Sequence, residues 1–212
     1  MNPKRKEQLL EIAKQKITSE DPSHDFEHAL RVLSNAEHIA KEEKADLDII
    51  IPASLFHDIV NWPKNHPNAK LSSQQSAVVT KRILEEINYP QEKIEKVCYA
   101  ISVCSFGKGI VPELLEAKIL QDADGLEATG AIAIMRTFCT TGQLKRQFYH
   151  PIDPFCKKRS PDGIKYALDL FWERLLKIEK RVHTKTAKKI AKRRTKFLLS
   201  FLKELDQELK GN

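Results

Sequence analysis

From residue 29 to residue 40 the apolar positions are 29, 32, 33, 36, 39 and 40, the three-and-four spacing of an amphipathic helix, and the polar cluster DPSHD just before it supplies a helix start. The stretch 47 to 60 is apolar nearly all round, which predicts a helix in the middle of a bundle; Pro52 inside it predicts a kink or a later start. Further helices are expected over 73 to 88, from Pro90, a good first-turn residue, to about 104, and from 112 to about 139. The segment NWPKNHPNAKLSS is the clearest loop. After the irregular stretch FYHPIDPFCKKRSPDG, two long amphipathic helices close the chain, one carrying Leu168, Phe171, Trp172 and Leu175, the other Ile190, Leu198, Phe201 and Leu202. No run of alternating β-branched residues stands out between them. The pattern predicts an all-α protein.

Length and composition fit that expectation. A chain of 212 residues suits one domain with a substantial core, and seven glycines are few for a fold built on tight β-turns. The basic start MNPKRKEQLLEIAKQK is not followed by an apolar stretch, and no segment approaches the ~18 apolar residues of a membrane span. A cytoplasmic protein without membrane contact is expected. Cys98, Cys104, Cys139 and Cys156 lack C-x-x-C spacing and read as reduced, mostly buried thiols. The net charge of +7 is concentrated: residues 180 to 196 hold nine Lys or Arg and no acid, and without them the chain stands at −2. The rest of the chain is near neutral.

Two places break the hydrophobic pattern. In ASLFHDIV, His57 and Asp58 end a strongly apolar segment, and in KILQDADGLEATGAIAIM, Asp122, Asp124 and Glu127 stand among Ile119, Leu120, Leu126, Ile132 and Ile134. Acids are rarely buried unless they are paired or bind a metal. A capping Asp beside a satisfied core histidine explains the first place as well as a ligand pair does, but two such anomalies in one small domain explain each other if they share a metal. His24 and His28 lie one helical turn apart just upstream.

The residues H-x-x-R-V from His28, the His57-Asp58 doublet and D-A-D-x-L from Asp122 together resemble the HD superfamily of metal-dependent phosphohydrolases, and S-H-D-F-E-H and FYHPIDPF extend the similarity to a small, stand-alone bacterial subgroup. The resemblance implies a single-domain HD-type helical bundle over 1–212, with a metal-binding core at about 20–140 and long C-terminal helices at about 164–210 packed on it. Carried over position by position, it implies His28, His57, Asp58 and Asp124 as metal ligands. Gly125 and Cys104 stand where many relatives have Arg and His, which puts in doubt any substrate contact carried over there.

Two imidazoles and two carboxylates form a mixed N/O set that leaves room for about two waters or phosphate oxygens in an octahedral shell. One Mn²⁺ is expected, with Fe²⁺, Co²⁺, Ni²⁺ or Mg²⁺ as substitutes. Such an ion polarises a phosphoryl oxygen and acidifies its water. Asp58 coordinates and orients that water; Asp122 and Glu127 are placed to fix the ligands or move protons. Arg31, three residues after His28, is suited to bidentate phosphate contact, although a surface salt bridge accounts for it equally well. Lys64 and His66, in the loop after the doublet, and His24 are further substrate candidates, with simple exposure and support of His28 as the bland readings. The substrate expected is a small phosphorylated molecule, a nucleotide, losing either phosphate or pyrophosphate. The alternative is a nucleic-acid-binding module using the basic helix at 180–196; the run lacks an aromatic residue to stack bases, which favours a solvated face over a nucleic-acid surface.

Overall fold

The computed structural model describes residues 1–19, 21, 23–62, 66–105 and 109–212. Among them the chain forms nine α-helices, and its only bridge between extended segments joins Gln147 to Tyr166. The all-α expectation holds. No helix of the described residues is long and apolar enough to cross a membrane. The chain divides into two compact units, Met1–Asp124 and Gly125–Asn212.

The first unit is built around α3 (Leu47–Phe56), in which every residue from Ile49 to Phe56 is buried. Its partners are α1 (Pro3–Lys16), α2 (Phe26–Glu43), α4 (Ser72–Glu86) and α5 (Gln91–Ser102). The helix begins at Leu47, capped by the Asp46 carboxylate, and not later as Pro52 suggested. Pro52 lacks the N–H that would bond the Asp48 carbonyl, and the Tyr89 hydroxyl donates to that carbonyl instead, at 2.7 Å. Burial, helped by the Asp48 charge, raises the phenol's pKa and keeps it a donor. The helix α1 was not foreseen. Asn2 caps it and Pro3 opens it, but only Leu9 and Ala13 of its residues are buried, so its apolar signal is faint.

The sixth helix, α6 (Leu115–Gly125), was expected to run on to about residue 139. It ends instead in a 3₁₀ turn at Leu126–Ala128, and α7 (Ala131–Gln143) starts afresh after Gly130. Gly130 has φ +84°, and a Cβ there would lie 3.0 Å from Arg194 Cγ, so the break needs glycine for both its backbone and its space. Arg194 spans the turn and donates to the Leu126 carbonyl at 2.6 Å.

The second unit packs Ala133, Leu168, Phe171, Leu175, Leu198 and Leu202 into one core. Of the two closing helices expected, the first is short: α8 covers Asp169–Glu173 and is followed by a 3₁₀ segment, Leu175–Lys180. The second, α9 (Lys185–Glu208), is long. The four cysteines form no disulfide, but only Cys104 is buried and Cys139 is exposed, which corrects the expectation that most lie inside.

Candidate metal centre

Three helices of the first unit converge on one point. The Asp25 carboxylate caps α2 by accepting the His28 N–H at 2.8 Å, which fixes His28 in the first turn with its side chain only 1% exposed. His57 directly follows α3, and its Nδ1–H donates to the Ser54 carbonyl at 2.8 Å. A carbonyl can only accept, so this bond places the proton on Nδ1 and leaves the Nε2 lone pair for a ligand. Asp58 comes next in the chain, and α6 delivers Asp124 one residue after Ala123, whose carbonyl accepts from the Asn35 amide at 3.4 Å.

The donor atoms form a close set. His57 Nε2 lies 3.5 Å from Asp58 Oδ2 and 4.0 Å from Asp124 Oδ1; His28 Nε2 lies 3.8 and 3.7 Å from the same oxygens. These separations exceed the usual hydrogen-bond length. Two atoms each ~2.1 Å from a shared ion stand roughly 3.0 to 4.2 Å apart, from adjacent to opposite positions, and all four distances fall within that interval. His28, His57 and Asp58 by themselves form a group whose ligand atoms all lie within 4.8 Å of one another. The imidazoles, both at 1% exposure, form a buried floor; the carboxylates, at 30% and 28%, form a mouth open to solvent. The donor set fits a divalent ion.

The other sequence-predicted residues are spread more widely. His24 Nδ1 donates to the Asp21 carboxylate at 2.7 Å, and its ring meets the His28 ring edge-on, 5.7 Å between centroids. Arg31 is half-buried on α2, and Asp122 is buried on α6. Glu127 is buried in the 3₁₀ turn of the second unit, where its charge acts on Arg194; burial, the larger influence, lowers the guanidinium's pKa. His66 stacks on Trp62 at 4.2 Å and accepts the Asn68 N–H through Nδ1. Lys64 lies outside the described residues. A cavity of about 210 Å³ opens beside Asp58, lined by Lys16, Ile17, Thr18, Ser19, Ile59 and Asn61. The end of α1 and Asn61 were missed from sequence because nothing in the pattern ties them to the doublet.

The HD domain family model matches residues 25–129, a span that contains His28, His57, Asp58 and Asp124. The YpgQ protein of Bacillus subtilis (strain 168) is 31% identical, over 98% of this chain and 95% of YpgQ. The chain belongs to the HD domain family. Its fold agrees: the crystal structure of Bacillus subtilis YpgQ in complex with ADP superposes with a TM-score of 0.76 at 26% identity, covering 97% of this chain and 95% of that one. An HD-superfamily hydrolase from Bacillus thuringiensis superposes at 0.77, also at 26% identity, covering 99% and 98%. This HD-domain protein is an enzyme, a metal-dependent phosphohydrolase.

Proposed function

We propose that His28, His57, Asp58 and Asp124 hold one divalent ion, Mn²⁺ by preference, and that the enzyme hydrolyses a nucleotide, removing pyrophosphate from a nucleoside triphosphate. The observation that carries this reading is that both imidazole Nε2 atoms lie 3.5 to 4.0 Å from an Asp58 oxygen and from an Asp124 oxygen, a mixed nitrogen and oxygen set open on the carboxylate side. A nucleotide as substrate is supported by the relative YpgQ, which crystallises with ADP. The bound ion supplies polarisation of a phosphoryl oxygen and a water acidic enough to attack near neutral pH.

The chain's own groups do the rest. The Ser54 carbonyl holds the His57 ring in the ligating tautomer. Asp58, at the mouth, orients the attacking water and takes its proton. His24 steadies the His28 ring through their edge contact. Arg31, one turn beyond His28 on α2, takes phosphate oxygens, and His66 is a further phosphate contact. Asp122, buried on α6, fixes the ligands or moves protons. Mixed N/O donors with two positions left for oxygen suit Mn²⁺ better than Zn²⁺, which more often takes four ligands or sulfur.

The test is a panel of nucleoside mono-, di- and triphosphates and phosphodiesters offered to chelated protein reloaded with Mn²⁺, Co²⁺, Ni²⁺ or Mg²⁺. Pyrophosphate release from a triphosphate, lost in Asp58→Ala, is expected. Metal binding without turnover of any nucleotide would overturn the substrate, and failure to bind metal would overturn the site.

A second reading rests on α9, where Lys185, Lys188, Lys189, Lys192, Arg193 and Lys196 are all exposed. At 100° per residue the six fall on one side of the helix, the arrangement of a surface that meets a polyanion such as nucleic acid. Binding would then weaken steeply as salt rises. α9 carries none of the four donors, so this reading stands beside the hydrolase and does not compete with it.

A further inference from the structure

The cavity beside Asp58 contains groups for which the four-donor site has no use. Lys16 closes α1, whose last backbone bond runs from Ile17 N–H to the Ala13 carbonyl; the chain turns extended at Ile17, and Thr18 and Ser19 follow. Asn61, three residues after Asp58, also lines it. Lys16 is exposed and forms no ion pair among the described residues. A lysine in the last turn of a helix ordinarily serves the helix dipole, but that role does not require it to share a cavity with a carboxylate of the metal centre.

The lining is that of an anion subsite. Among the described residues that line it the one carboxylate is Asp58, which a divalent ion would neutralise, and the one cation is Lys16. Around it stand the Thr18 hydroxyl, the Asn61 amide and the Ser19 hydroxyl, which accepts the Asp21 N–H at 3.2 Å and keeps its own O–H to donate. About 210 Å³ is room for roughly seven waters. That holds a phosphoryl group but falls below the ~300 Å³ at which pockets begin to enclose a whole small-molecule ligand.

We propose that this cavity is the subsite for a second phosphate of the substrate, with Lys16 as its cation and Thr18, Ser19 and Asn61 as its neutral donors. The inference rests on the phosphohydrolase reading above and narrows it: the enzyme selects substrates with at least two consecutive phosphates, one at the four-donor centre and the next against Lys16.

The experiment compares wild type, Lys16→Ala and Lys16→Arg in two ways. Calorimetric titration of the Mn²⁺-loaded proteins with inorganic pyrophosphate and with orthophosphate reads the subsite without requiring turnover. Steady-state kinetics on a nucleoside triphosphate and on 4-nitrophenyl phosphate reads it during catalysis. Loss of one charge-assisted contact predicts about a 10- to 100-fold weaker grip on pyrophosphate and a similar fall in kcat/KM for the triphosphate. Orthophosphate binding and 4-nitrophenyl phosphate turnover should stay within about twofold, Lys16→Arg should recover most of the loss, and thermal midpoints should match. Equal losses on single- and double-phosphate ligands, or unchanged pyrophosphate affinity in Lys16→Ala, would overturn the subsite. A wild type that binds pyrophosphate but hydrolyses nothing would leave the subsite and overturn the hydrolase reading instead.

Discussion

Asp124 and Asp169 are both acids set in apolar helical sequence, one in KILQDADGL and the other in YALDLFWE, yet the two units satisfy them in opposite ways. Asp169 is fully buried and finds its cation within the chain: Arg159 donates through Nη1 at 2.5 Å and Nη2 at 2.7 Å, and the Asp162 N–H adds a third bond at 2.6 Å. Burial pushes its carboxyl pKa up, but these bonds outweigh burial and hold it below the ordinary value. The neighbouring Cys156 thiol is pushed up to about 11, by burial and then by Asp169 itself. Asp124 and Asp58, by contrast, face two imidazoles at 3.5 to 4.0 Å, distances that suit a common ion better than direct bonds, and both are partly open to solvent. An acid in apolar sequence thus reads as a structural pair when the chain itself supplies direct hydrogen bonds, and as a proposed ligand when several donors stop short of one another around a shared point.

The comparison can be broken most directly at Asp58. If that carboxylate serves an ion, Asp58→Ala lowers metal-dependent turnover by more than the 10- to 100-fold that outer partners of metal ligands typically cost, while urea unfolding of the metal-free protein changes little. A large loss of stability without metal would place Asp58 in the same structural class as Asp169. For Asp169→Ala the opposite pattern is expected: about 3 to 5 kcal/mol of stability lost, because the Arg159 guanidinium is left without its carboxylate, and unchanged metal affinity in the folded fraction.

Metal itself should add stability. At a hundredfold excess over its Kd it contributes about 2.7 kcal/mol, seen as a raised thermal midpoint that vanishes in Asp124→Ala and survives in an Asp169 variant. Gly130→Ala, which asks alanine to take φ +84° against the Arg194 stem, should cost about 1 kcal/mol or more without altering metal binding. The smallest effect is in acid. Because the folded-state pKa of Asp169 lies below its unfolded value of ~3.9, its contribution is fully present above that value and is lost as pH falls through the folded pKa. The stability gap between wild type and Asp169→Asn should thus be constant above about pH 5 and shrink below about pH 4. A gap that changes instead between pH 6 and 8 would assign the effect to another group.

How much of this was legible in the chain follows from how local each signal is. The three-and-four pattern is plain in α2 and α5, which bury stripes of apolar residues, and fainter in α4, where Ser73, Ser76 and Thr80 share the buried face with Ala77, Ile83 and Leu84. It passed over the break at Gly130 because the apolar residues resume beyond it with no change of character, and only the glycine, one residue in a long run, carries the turn. It overextended α8, whose Leu168, Phe171 and Leu175 are buried as expected although the backbone tightens to a 3₁₀ segment after Glu173. His57-Asp58 and the acids around Asp124 were conspicuous because an acid in apolar sequence is costly, whereas His28 and the grouping of the four came from the resemblance to the HD superfamily. The Lys16 cavity was not conspicuous: a lysine at a helix end, two hydroxyls and an asparagine are ordinary in sequence, and only folding brings them beside Asp58. Asp169 escaped notice for the complementary reason, since its partner Arg159 sits ten residues upstream in irregular chain where no periodicity points to it.

Everything proposed for this enzyme depends on two histidines and two aspartates of the first unit sharing one divalent ion. Equilibrium dialysis of the chelated protein against Mn²⁺, beside Asp124→Ala and Asp169→Ala, tests it most directly. One tightly bound ion per chain is expected in wild type and in the folded Asp169→Ala protein, with at least a tenfold weaker affinity in Asp124→Ala. Undiminished Mn²⁺ binding in Asp124→Ala, or none in wild type, would contradict it.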